Sequence, residues 1–238
     1  MRLHLLGVHG PYPASGEATS GYLLEAGNQM LQLDFGSGVL SRLTAVFPPE
    51  DLSAILISHW HYDHTCDLLP LIYRLESLGK SLPVYAPEDD SSPLRKVVEK
   101  AACFELHTVS QGQSFPLGNI QVLVGPARHP VPGVGFVIRE NEKLLGYTGD
   151  TNTHPGLKDF YQNCGLLLSC GPFPQAVWAE TRPQLSARLA AELARDAGAG
   201  KLIVTHLNPA FPASLLLKEA REVFPEVCLA RSGEVFSL

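Results

Sequence analysis

Six consecutive positions, His59-Trp60-His61-Tyr62-Asp63-His64, carry three imidazoles and a carboxylate, a density that packing alone does not require. Neutral imidazole and carboxylate together suit zinc, manganese or iron, so the ligand types point to a metal site without choosing the ion. The preceding run, Ile55-Leu56-Ile57-Ser58, is apolar and reads as a strand. Side chains alternate along extended backbone, so His59 and His61 face one side and can share an ion, while Trp60 and Tyr62 turn toward packing behind the loop. Asp63 and His64 follow as the chain turns toward a helix, which aims them at a second point nearby.

The elements that must position such groups are short. Apolar runs bounded by Gly, Pro or Asp predict strands at 3–8, 22–26, 30–34, 54–58, 83–86, 105–109, 120–124, 136–139, 144–148, 166–169 and 202–205, with two more at 226–230 and 234–237. Helical spacing is clearest at 187–197, where Ser186 can cap the start and Gly198 supplies a stop. Further helices are expected at 38–46, 69–78, 93–100 and 214–223. Several strands precede the first clear helix, so a mixed α/β fold is expected and a simple doubly wound parallel sheet fits poorly. Five of the nine histidines, His59, His61, His64, His129 and His206, stand just after a predicted strand or in its following turn, where scaffolds present ligands. His4 reads as structural, His107 has no role, and His9 and His154 could each line a pocket or serve packing.

The whole chain bounds these readings. At 238 residues and 45% hydrophobic content it can bury a sizeable core, and one domain over 1–238 is expected. A formal charge of -6 with scattered Lys and Arg gives no general pull toward nucleic acid. Five cysteines without a CxxC pair suit reduced thiols, and the apolar start is too short for a membrane span. A soluble cytoplasmic protein with no membrane partner is the expectation. The glycines form no phosphate-binding fingerprint, so no nucleotide cofactor is implied.

The pattern HxHxDH after a strand resembles the signature of the metallo-β-lactamase superfamily. Matching motifs follow in order at Pro126-Ala127-Arg128-His129, Tyr147-Thr148-Gly149-Asp150 and Ile203-Val204-Thr205-His206. Gly7-Val8-His9-Gly10-Pro11, Thr19-Ser20-Gly21-Tyr22 and Leu33-Asp34-Phe35-Gly36 are similar to the opening of ribonuclease Z and of the phosphodiesterase-like branch. The resemblance implies a four-layer αββα sandwich and two divalent metal ions per chain, zinc first, with manganese or iron also open. One ion would take His59, His61 and His129, the other Asp63, His64 and His206, with Asp150 bridging. Asp63 and Asp150 would also be the catalytic carboxylates. It implies a hydrolase with a metal-bridging hydroxide as nucleophile, acting first on phosphodiesters, with lactones, esters or thioesters as the alternative. Flavodiiron relatives carry Glu where this chain has His61, which favours hydrolysis, although a mononuclear iron oxygenase remains open.

Three departures bear on the substrate. Only the 20 residues 130–149 separate the motifs between which ribonuclease Z inserts a long tRNA-gripping arm, so a small-molecule substrate is expected instead of tRNA. Gln184-Leu185-Ser186-Ala187 stands where relatives place a proton-donating His, and Ser169-Cys170-Gly171 where they place a Glu. Glu180 is a candidate substitute. Losing a general acid typically forfeits about 10²- to 10⁴-fold in rate, so a metal-binding member without efficient catalysis is a second expectation. Cys66 and Cys170 are not assigned as ligands. Family members often dimerise, which implies a homodimer.

Overall fold

The computed structural model describes residues 1–238 and builds two seven-stranded sheets. The first contains β1 (Arg2–Gly7), β2 (Gly21–Ala26), β3 (Gln29–Leu33), β4 (Ala54–Leu56), β5 (Leu82–Pro87) and β6 (Phe104–Val109). The second contains β7 (Ser114–Leu117), β8 (Ile120–Pro126), β9 (Val134–Glu140), β10 (Lys143–Tyr147), β11 (Leu166–Cys170), β12 (Leu202–Thr205) and β13 (Val227–Leu229). The last strand, β14 (Val235–Ser237), returns to the first sheet and pairs with β1.

Each sheet starts as an antiparallel meander and continues as parallel strands. Thus β1, β2 and β3 pair antiparallel, while β3 to β6 run parallel. Likewise β7 to β10 pair antiparallel and β10 to β13 run parallel. Parallel neighbours need crossover connections, and each of the six carries at least one helix. They are α1 (Val39–Thr44), α2 (Tyr62–Thr65), α3 (Leu68–Leu78), α4 (Pro93–Lys100), α5 (Leu157–Phe160), α6 (Ala187–Asp196) and α7 (Ala213–Arg221).

Strand alternation assigns the layers. Leu24, Leu56, Phe136, Ile138, Leu168 and Ile203 pack together between the sheets. Their chain neighbours Leu23 and Ile55 pack instead with Val39, Leu71, Leu75 and Val98 of α1, α3 and α4 on the outer face of the first sheet. On the outer face of the second sheet Val137, Leu167, Leu202 and Val204 meet Ala190, Ala194 and Leu216 of α6 and α7. Period-2 burial on both faces of two sheets makes the αββα sandwich.

Two expectations needed correction. Residues 114–117 form a strand that the sequence did not suggest, because Pro116 cannot donate to a ladder; β7 lies at the sheet edge, where proline is tolerated. The single-turn helices α2 and α5 are too short to show periodicity. By pairing sense, β1, β3 and β4 end at one edge of the first sheet, and β8, β10 and β12 end at one edge of the second. The histidine-bearing turns follow those ends.

Candidate metal centre

Four turns converge there. His59 and His61 follow β4, and Asp63 and His64 lie in α2. His129 follows β8, Asp150 follows β10, and His206 follows β12. The ligand-capable atoms form three overlapping groups: His59, His61 and His129; His59, His64 and Asp150; Asp63, His64 and His206. The His61 Nδ1 lies 3.0 Å from both the His59 Nε2 and the His129 Nε2. The Asp150 Oδ2 lies 4.0 Å from the His59 Nε2, 3.7 Å from the His64 Nε2 and 3.3 Å from the His206 Nε2. Asp63 Oδ2 stands 3.1 Å from the same His206 nitrogen. Asp150 is therefore the carboxylate shared between the two outer groups.

The far side of three rings fixes which nitrogen faces the centre. Asp34, fully buried after β3, accepts from the Ser58 amide and hydroxyl, each at 2.7 Å, from the His64 Nδ1–H at 2.7 Å, and from the Tyr147 hydroxyl. Because Ser58 gives its proton to Asp34, its oxygen accepts from the His59 Nδ1–H at 3.0 Å. The His129 Nδ1–H donates to the Pro183 carbonyl at 3.1 Å. Each of these rings then turns its Nε2 inward, which is how outer partners orient metal-binding histidines. A single Nδ1–H on His61 could satisfy only one of its two neighbours. The His64 Nε2 and the Asp150 Oδ1 are buried without any partner. Inward ring nitrogens and orphaned polar atoms fit a site for divalent cations.

The two outer groups differ in the direction in which their surroundings shift the histidines. Burial, with nearby His64, pushes His59 well below the ordinary histidine value, and burial also lowers His129. Burial opposes charge on His64 and His206 too, but there the carboxylates win. Asp63, Asp150 and Asp34 raise His64 well above its usual value, and Asp150 and Asp63 raise His206. Burial opposes charge on both carboxylates, yet His64 and His206 hold them below the usual range, Asp150 well below.

Backbone strain marks the same place. Asp34 and His206 are non-glycine residues at φ 53° and 57°, a conformation costing about 1–3 kcal/mol each. Gly10 packs so tightly on His206 that a Cβ there would fall within the ring.

Other candidates separate clearly. Gln184 is buried, and its Nε2 donates to the Asp150 Oδ2 at 2.7 Å. The Glu180 carboxylate is largely exposed and lies 3.7 Å from Arg128. Cys170 meets backbone atoms of Thr151 instead of the centre, and burial pushes its thiol up to about 12. Cys66 is half-buried and in none of the groups. His9 belongs to none of the three groups, and His154 donates from Nδ1 to the Pro155 carbonyl at 2.9 Å. His4 contacts Glu25, and His107 stacks on Tyr85. Trp60 packs inward and donates to the Pro87 carbonyl, but Tyr62 is 59% exposed. The alternation that would hide Tyr62 ends where α2 begins.

Three clefts touch metal-facing side chains, the widest of 600 Å³ running past His129 along Pro87, Ser110 and Val134; two smaller ones carry side chains suited to binding. One of 220 Å³ touches His61 and is lined by Trp60, Tyr62, Ser91, Ser92 and Val131. The other, 200 Å³, touches His129 and is lined by Arg128, Thr181 and Arg182. Nothing in the sequence marked Arg182, because the loop that presents it has no motif.

Comparison with known proteins shows the family and the fold. The pattern of the Beta-lactamase superfamily domain matches residues 23–207. The probable metallo-hydrolase YhfI of Bacillus subtilis (strain 168) is 32% identical over 99% of both chains. Ribonuclease Z of Methanopyrus kandleri is 28% identical over 97% of this chain and 95% of its own length. The crystal structure of YhfI superposes with a TM-score of 0.92 over 99% of both chains. Human tRNase Z, short form, shares the fold at TM-score 0.81 and 19% identity, over 100% of this chain and 99% of its own.

Proposed function

The chain belongs to the β-lactamase superfamily, and on that premise we propose that it is a hydrolase using two divalent cations, zinc first, to cleave small phosphodiesters. The observation that carries the reading is the convergence of His59, His61, Asp63, His64, His129, Asp150 and His206, with the outer nitrogens of His59, His64 and His129 already committed elsewhere. Two cations held by these groups would activate water and stabilise the attacking and leaving oxygens of a displacement. Manganese or iron satisfies the same donor set.

The surrounding residues supply binding and orientation. Asp150 spans both groups, and Gln184 fixes its rotamer through a hydrogen bond. Arg182, which meets no carboxylate and lies against the Phe173 ring 5.1 Å away, can hold a phosphate oxygen beside His129. The cleft at Tyr62 and Trp60 accepts a flat or apolar substituent on the other side. A phosphodiester is also the bond that a ribonuclease, such as the Methanopyrus relative, cleaves. Between His129 and Asp150 this chain has only the strands β9 and β10, joined by a two-residue turn, which supports small diesters over tRNA. Gln184 cannot protonate a leaving group, so diesters with good leaving groups should turn over best. Five free thiols fit a reducing cytoplasm.

The test is hydrolysis of bis(p-nitrophenyl) phosphate, p-nitrophenyl acetate and a thioester by protein of known metal content, with His61→Ala as the control. Diester turnover that disappears in the variant is the expected result. Turnover of the ester or thioester alone would move the substrate class, and two bound ions with no turnover would indicate a non-catalytic member.

A further inference from the structure

A cleft of 760 Å³ lies beside α7, β13 and β14, apart from the clefts of 220, 600 and 200 Å³ that touch His61 or His129. Leu207, the residue after His206, lines it, but none of the seven metal-facing side chains does. Half-buried Leu217, Leu229 and Phe236 give it an apolar floor. Lys201, Arg221 and Arg231 bring three positive charges, against one acid, Glu234.

These cations are unusual for this molecule. Seven of its eleven arginines meet a carboxylate. Arg221 and Arg231 do not, and the Lys201 Nζ instead lies 5.0 Å from the centre of the Phe236 ring. The charges share one space, because all of them act on the Cys228 thiol in the wall. Burial raises that thiol, the three cations pull it down and Glu234 pushes it up. Three cations set against one acid around an apolar floor leave the cleft with an excess of positive charge and exposed apolar surface. A single ligand with a negative group and an apolar body satisfies both, and the volume lies within the range of about 300–1,000 Å³ usual for small-molecule sites.

We propose that this cleft binds a small amphipathic anion, with its phosphate, sulfonate or carboxylate among Lys201, Arg221 and Arg231 and its apolar body on Leu217, Leu229 and Phe236. The site is separate from the metal centre and does not depend on the hydrolase reading.

Anilinonaphthalene sulfonate, an amphipathic anion that fluoresces in apolar surroundings, is the probe, titrated into the metal-loaded full chain. Saturable binding of one probe per chain is expected, weakening as salt is added. The double variant Arg221→Gln/Arg231→Gln should weaken binding by at least about tenfold. Glu234→Gln should tighten it while the stoichiometry stays at one probe per chain and the near-ultraviolet circular dichroism stays native, which separates it from the probe binding of a loosened core, and His61→Ala should leave it unchanged. Wild-type affinity in the double variant, or equal binding of neutral anilinonaphthalene, would overturn the proposal.

Discussion

Asp34 has more influence on the centre than its distance from the reaction suggests. It is not among the seven converging side chains, yet one carboxylate sets the inward nitrogen of His64 directly and that of His59 through Ser58. Asp34→Asn keeps the shape but removes the charge and one acceptor oxygen. Metal affinity should fall roughly 10- to 100-fold, measured by competition with a chromophoric chelator; unchanged affinity would remove Asp34 from this role. The protonation pattern makes a second prediction. With pKa values raised, His64 and His206 keep their protons to higher pH in the metal-free protein than His59 and His129, whose values are lowered. Ion binding at Asp63, His64 and His206 must then displace protons, and occupancy there should fall first as pH drops. Calorimetry in two buffers of different ionisation enthalpy should show proton release concentrated in one of two binding events. Equal release from both would contradict the assignment.

At the scale of elements, each metal-facing group hangs from a strand end, and its neighbours decide how accurately it is held. Gly10, after β1, leaves room for the His206 ring that no Cβ would allow. Gly10→Ala should displace that ring and lower kcat on the order of 100-fold, with the ion at Asp63, His64 and His206 lost from metal analysis. Full activity would show that the contact is not needed. Most strands were legible because strands covered on both faces keep near-continuous apolar runs, as at Tyr22–Ala26 and Leu202–Thr205. The Ser186 cap was legible too, and its oxygen accepts from the Leu189 amide at 3.1 Å. Proline hid β7, and brevity hid α2. The dense run from His59 to His64 declared itself by residue type, and His129 and His206 by their places after predicted strands, whereas Asp150 stood out only through family resemblance. Asp34 and Arg182 belong to relations between distant segments, which no local pattern encodes.

Over the whole molecule, two sheets of the same design, a meander followed by parallel strands, place their ligand-bearing ends at facing edges. The three apolar clusters contain none of the seven metal-facing side chains, so packing and metal binding are separable, and variants of the centre should fold. Strain at Asp34 and His206 is borne by this surrounding core. The separation also makes counting ions a clean test of the central claim. Metal content per folded chain would be measured by elemental analysis after loading with zinc, for the wild type, His206→Ala and Asp150→Ala. Two ions in the wild type, one in His206→Ala and at most one in Asp150→Ala is the predicted result. A single ion in the wild type, or two retained in Asp150→Ala, would contradict a two-metal centre bridged by Asp150.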